Sequence, residues 1–190
     1  MKSLMRGRRE RKPVKIPTVQ GLEGMALFYL GRFAASEASL RRVLENRLRQ
    51  AARALPQFAE DEALNETLRA AIETIIAKHK KSGALNDAAY AEMKTRSLRR
   101  AGRSARAIQM RLAHKGVAKD TIAEALADNE DETSEAAEMK AAEALARRRR
   151  LGPFRQKPTD DPNQKRKDLA TLARAGFSLD VARNVLNSKD

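Results

Sequence analysis

Apolar residues recur along this chain at helical spacing, in blocks separated by glycine, proline or a residue suited to capping a helix. The clearest block is residues 86–126. Asn86 can accept from a free backbone N–H, and Asp87 then sits in a positively polarised first turn. Tyr90, Met93 and Ala101 fall on one face, with Leu98 at its edge, and Gly102 stops the helix. Ser104 caps a second helix carrying Ile108 and Leu112, which ends at Lys115 and Gly116, a cation followed by a residue that tolerates the left-handed conformation. A third helix carries Ile122 and Leu126, with Asp120 near its start.

The flanking blocks follow the same grammar. Thr18 is predicted to cap a helix over 18–32 with Leu22, Met25, Ala26, Tyr29 and Leu30 inward; Phe28 and Tyr29 are both expected in the core. Ser36 caps the next, with Leu40, Val43, Leu44 and Leu48 inside, and after Pro56 a helix over 64–80 is built on Leu68, Ile72, Ile75 and Ile76 and ended by Gly83. Downstream, an acidic run at 128–132 opens a helix that finishes in four arginines at 147–150, the run reading as negative charge at a helix N-terminus rather than a metal site. A loop with Pro153, Pro158 and Pro162 spans 151–163, and two helices, over 164–175 and 179–187, are separated by Gly176 and the cap Ser178.

The blocks superpose. Leu112, Gly116, Val117, Ile122 and Leu126 share their offsets with Leu172, Gly176, Phe177, Ala182 and Leu186, while Ser36, Leu40 and Leu44 share the spacing of Ser104, Ile108 and Leu112. The pattern predicts an all-α protein of three tandem three-helix repeats, forming an elongated, curved array because each unit is too small to bury its apolar face alone. The expected boundaries are a flexible basic arm over 1–17, repeats over 18–82, 83–129 and 130–190, and the proline-rich loop inside the last. The predicted repeat core is Leu40, Leu44, Tyr90, Ile108, Leu112, Ile122, Leu126, Leu172, Phe177 and Leu186.

Charge changes the picture from fold to partner. There are 39 lysines and arginines against 25 acids, a net charge of +14, which argues for an anionic partner. Between Arg96 and Lys115 lie seven cations and no acid. Arg96, Arg99 and Arg103 point away from the apolar face, with Arg103 near or past the helix end. With Arg106, Arg147, Arg148, Arg149 and Arg150 they are the candidate contacts. A helix dipole accounts for one or two of the last four, not for all. Cysteine is absent, which removes disulfides and thiolate metal sites, and no apolar run approaches a membrane span, so a cytoplasmic protein is expected.

Asn86-Asp87, Tyr90-Ala91, Arg96, Gly102, Ser104, Ile108, Leu112, Lys115-Gly116-Val117, Ile122 and Ala125-Leu126 together resemble the central signature of the RecX family, bacterial regulators of the recombinase RecA. Ala26-Leu27, Tyr29-Leu30, Arg32, Ser36, Leu40-Arg41-Arg42 and Leu44 are similar to that family's opening repeat. The segments 151–155 and 172–178 are similar to its closing one. The long first connection and the absence there of a lysine–glycine pair depart from the pattern. The resemblance implies a non-catalytic protein, acting in homologous recombination and the SOS response. It would bind RecA and the groove of the RecA filament on single-stranded DNA, and restrain filament growth and the recombinase, ATPase and coprotease activities. Weak direct DNA binding, a monomeric state and no cofactor or metal are further expectations.

The residues themselves carry no enzyme motif: there is no P-loop, no HExxH, and His79 and His114 stand in different blocks as expected surface or boundary histidines. With no tryptophan, single-strand binding by base stacking is disfavoured. The alternative to a RecA regulator is a basic helical nucleic-acid-binding protein that acts independently of RecA.

Overall fold

Thr18, Asp61, Asn86, Ser104, Asp161 and Ser178 each turn a side-chain oxygen back onto a free backbone N–H, and six helices begin at those residues. The computed structural model describes residues 13–127, 134–157, 159 and 161–188. Most of the basic arm and the acidic run at 128–132 therefore lie outside the described residues. Among those described the protein is all-α, with helices α1 (Val19–Leu30), α2 (Glu37–Ala54), α3 (Pro56–Ala59), α4 (Glu62–Lys81), α5 (Asp87–Arg100), α6 (Ala105–His114), α7 (Lys119–Ala127), α8 (Ser134–Arg149), α9 (Pro162–Arg174) and α10 (Leu179–Asn187). A 3-10 turn at Gly152–Phe154 and the early start of α9 shorten the predicted proline-rich loop. No described helix is long and apolar enough to cross a membrane.

The chain divides into two compact units. The first holds residues 13–33 and 40–82, with α1 and α3 packed on α4. Leu22, Ala26, Leu40, Leu44, Phe58, Leu68, Ile72 and Ile76 are buried there, each large side chain contributing about 1.5–3 kcal/mol. Arg41 grips Glu73 with two prongs, at 2.9 and 2.8 Å, joining α2 to α4. The short helix α3 was not legible in the pattern: Pro56 takes its first position, where a missing N–H costs nothing.

Two expectations fail in this unit. Phe28 is 63% exposed, with the Arg32 guanidinium 4.8 Å from its ring centre, and Tyr29 is only half-buried beside an exposed Phe33. Helix α1 is apolar on nearly every side, so spacing alone could not say which face turns inward. His79, expected near the surface, is buried, with Nε2 3.6 Å from Glu23 Oε1.

The second unit comprises residues 34–39 and 83–188. Helices α5, α6 and α7 enclose one apolar cluster: Tyr90, Ala91, Ile108, Leu112, Val117, Ile122 and Ala125, with Leu126 partly buried against it. Helices α8, α9 and α10 enclose another around Leu145, Leu172, Phe177, Val181 and Val185, with Leu186 at its margin. Each three-helix set thus has a core of its own.

Two polar junctions of the same design recur in this unit. Buried Ser104 caps α6 and donates its hydroxyl to the Ala175 carbonyl at the end of α9, 2.8 Å away. Buried Ser36 donates in the same way to the Lys115 carbonyl at the end of α6, at 2.6 Å. A carboxylate completes each junction by accepting from the first amide of the capped helix: Glu138 from Ala105, at 2.6 Å, and Asp87 from Glu37, at 2.7 Å. The residue after each accepting carbonyl is glycine, and a side chain there would collide with Ala38 at Gly116 and with Ser104 at Gly176. Sequence spacing marked the serines as caps; their second hydrogen bonds span 79 and 71 residues.

Candidate polyanion interface

Helix α5 ends in Arg99 and Arg100, and the chain turns at Gly102 with a φ of 68°. That turn lies against the backbone of α8 at Ala141 and Leu145. Arg148 closes the contact directly: its Nη1 donates to the Ala101 carbonyl at 2.7 Å. Arg148 is thereby placed beside the end of α5, and Arg96, Arg100, Arg103, Arg147, Arg149 and Arg150 are exposed as well. Arg106, also exposed, stands on the first turn of α6 beside Gly176.

The eight candidate arginines are not equivalent. Arg99 turns inward: its side chain is only 13% exposed and pairs with Glu138, the carboxylate that also caps α6. Its charge is already committed, so Arg99 positions the turn rather than offering a contact. Arg147 pairs with Glu143 at 2.6 Å and stacks its guanidinium 4.4 Å from the Phe154 ring centre, which holds the end of α8 to the 3-10 turn. Arg96 has a loose partner in Glu92 at 3.8 Å, an exposed pair of small energetic weight. Arg100, absent from the predicted set, belongs with the exposed group; its place in the cation-rich run was the available signal.

Arg150 occupies a backbone position that the chain elsewhere gives to glycine. Helices α5, α6, α8 and α9 all end with an amide bonding back five residues: Arg103 to Leu98, Val117 to Leu112, Leu151 to Ala146 and Phe177 to Leu172, at 2.9–3.3 Å. The left-handed residue in three of them is Gly102, Gly116 or Gly176; in α8 it is Arg150, with a φ of 54°. A side chain at that angle costs about 1 kcal/mol. Changing Arg150 to glycine is expected to raise stability by about that amount, read by urea denaturation, while weakening polyanion binding. A variant that loses binding while gaining stability would show that the arginine is kept for its charge.

Among the described residues no cluster of histidines and carboxylates could hold a metal ion. What the described residues offer here is a group of exposed cations.

Comparison with known proteins identifies the family. A family model described as RecX, second three-helix domain, matches residues 86–126, which are α5, α6 and α7 with the Asn86 cap. Regulatory protein RecX of Myxococcus xanthus (strain DK1622) is 43% identical over 179 residues, covering 94% of this chain and 90% of that protein. This chain belongs to the RecX family. Regulatory protein RecX of Agrobacterium fabrum (strain C58) is 38% identical over 103 residues, 54% of this chain and 52% of that protein. No solved structure matches. The matched RecX domain contains Arg96, Arg99, Arg103 and Arg106, whereas Arg147–Arg150 lie beyond it.

Proposed function

We propose that this RecX-family protein binds the RecA recombinase and its filament on single-stranded DNA and restrains filament growth. The recombinase, ATPase and coprotease activities would fall as a consequence. In this reading the protein acts in the cytoplasm as a non-enzymatic monomer built of three tandem repeats, and its affinity for DNA alone is weak. The observation that carries it is the match over nearly the whole chain to a regulatory RecX protein, and the exposed arginines joined through the Arg148–Ala101 contact supply the physical means. A filament groove bounded by protein acids and DNA phosphates is an anionic trough, and these cations suit it. Arg96, Arg103, Arg106, Arg147, Arg148, Arg149 and Arg150 are the proposed contacts, with Arg99 as their internal support.

The expected result is that substoichiometric protein lowers DNA-dependent ATP hydrolysis by RecA; unchanged turnover would refute the proposal. Replacing the four arginines at 147–150 by alanine is expected to weaken filament binding and to flatten its dependence on log salt by about two to three units, near 0.7 per lost single-strand phosphate contact. The net charge of +14 favours a second reading, direct nucleic-acid binding without RecA. It predicts tight binding to naked DNA, so one titration with and without RecA separates the two.

A further inference from the structure

A cleft of about 630 Å³ opens in the second unit between the 3-10 turn, α9 and α10, on residues that the arginine interface does not use. Its apolar lining comes from Pro153, Leu169 and Leu186. Gly152 allows the turn to sit this close to α10, since a side chain there would meet Leu186 Cδ2 at 2.7 Å. Among the described residues, Arg155, Lys165, Arg166 and Arg183 stand around this lining against one carboxylate, Asp168.

That carboxylate does not neutralise the cleft as a whole. Asp168 is buried and fully engaged: it accepts from Gly152 N at 2.8 Å, from Arg155 Nη2 at 2.6 Å and from Gln164 Nε2 at 3.0 Å. It cancels Arg155 and fixes the wall. Arg166 and Arg183 remain as exposed cations at the lining, Arg183 with a loose exposed neighbour in Asp180 at 3.9 Å. A large cavity with an aliphatic floor and several cations has a net positive field over an apolar seat.

We propose that this cleft docks an acidic peptide segment of a partner protein, an aliphatic or aromatic side chain seated on Leu169, Leu186 and Pro153 while flanking carboxylates meet Arg166 and Arg183. The chemistry of the lining favours a peptide over a nucleotide. No aromatic ring lines the cleft among the described residues, so a base would find no stacking surface, and the backbone N–H of Gly152, the natural start of a phosphate cradle, is already given to Asp168. Long cationic side chains around an aliphatic floor suit carboxylates arrayed about an apolar anchor. The proposal stands apart from the RecA reading, because none of its residues belongs to the arginine interface.

The test uses the full chain and fluorescence anisotropy with three labelled probes: a decapeptide of aspartates and glutamates around a central Leu-Phe, the same peptide with Ser-Gly in place of Leu-Phe, and a fifteen-residue oligothymidylate. The Leu-Phe peptide is expected to bind about tenfold more tightly than the Ser-Gly peptide of equal charge. The double variant R166E/R183E, changed only at exposed positions, is expected to lose about tenfold for the Leu-Phe peptide. It should keep its thermal midpoint and its effect on RecA. Equal binding of the two peptides would reduce the effect to the protein's general positive charge and overturn the proposal. Unchanged peptide binding by R166E/R183E would place the site elsewhere. Displacement of the peptide by oligothymidylate, with the same variant losing the oligonucleotide as strongly, would make the cleft a nucleic-acid subsite and overturn the peptide assignment.

Discussion

Changing Gly102 to alanine is expected to destabilise the protein by about 2–5 kcal/mol, from two independent causes that act at one atom. The first is local: the residue holds a φ of 68°, where a side chain costs about 1–2 kcal/mol. The second is tertiary. A Cβ at this position would stand 2.7 Å from Leu145 N and 2.9 Å from the Ala141 carbonyl, which are backbone atoms of α8 and cannot rotate aside. Relief requires α8 to move from the α5–α6 turn, and that movement would stretch the Arg148–Ala101 hydrogen bond and the Glu138 contacts with Arg99 and Ala105. The same substitution should therefore weaken the proposed RecA binding even where the protein remains folded. Gly24 supplies the contrast, since it lies inside α1 with nothing within 4 Å of an added Cβ. Changing Gly24 to alanine is expected to stabilise by about 0.5–1 kcal/mol. Urea denaturation of both variants would check the pair; a Gly102 variant as stable as the parent would mean that the turn does not seat against α8 as described.

Gly102 also shows what a one-dimensional pattern can and cannot convey. Its role as a helix stop was legible, because a left-handed C-terminal residue leaves a local mark next to the cap Ser104. Its contact with Leu145, 43 residues later, leaves none. The same division runs through the molecule. Asn86, Ser104 and Ser178 could be read as caps from neighbouring residues alone, and Tyr90, Ile108, Leu112 and Ile122 as inward-facing from their spacing. Glu138 could not be found this way. On α8 it looks like one more surface acid, yet it neutralises Arg99 and caps α6. Outward orientation on a helix made Arg99 resemble Arg96, and only the packing of a second helix over it separates the two. Phe28 misleads for the opposite reason: a side chain that any core would accept stands on a helix with too few neighbours to cover it. The cleft beside Asp168 was invisible too, being assembled from segments that touch only in three dimensions.

Removing the Asp168 carboxylate is the second change of large expected effect. Burial alone would push this carboxyl up, but hydrogen bonds from Arg155, the Gly152 amide and Gln164, with the charge of Arg155, outweigh it and hold the group below the ordinary carboxylate value. Changing Asp168 to alanine would strand the Arg155 guanidinium and the Gly152 amide together. Breaking a fully buried pair costs about 3–5 kcal/mol, and because Arg155 is about a quarter exposed, water recovers part of that, leaving about 2–4 kcal/mol. The pH dependence follows from the direction of the shift. A carboxyl held lower in the folded state than in the unfolded chain binds fewer protons when folded, so its contribution is complete above the unfolded value of about 4 and is lost as pH falls through the lower folded value. Parent protein should therefore lose stability on acidification below about pH 4 more steeply than the Asp168→Asn variant, which has no proton to take up there. Denaturation midpoints at a series of acid pH values would read this difference. Parallel curves for the two proteins would mean that Asp168 is not held in its charged form by Arg155, and the wall of the cleft would then lack its fixed ion pair.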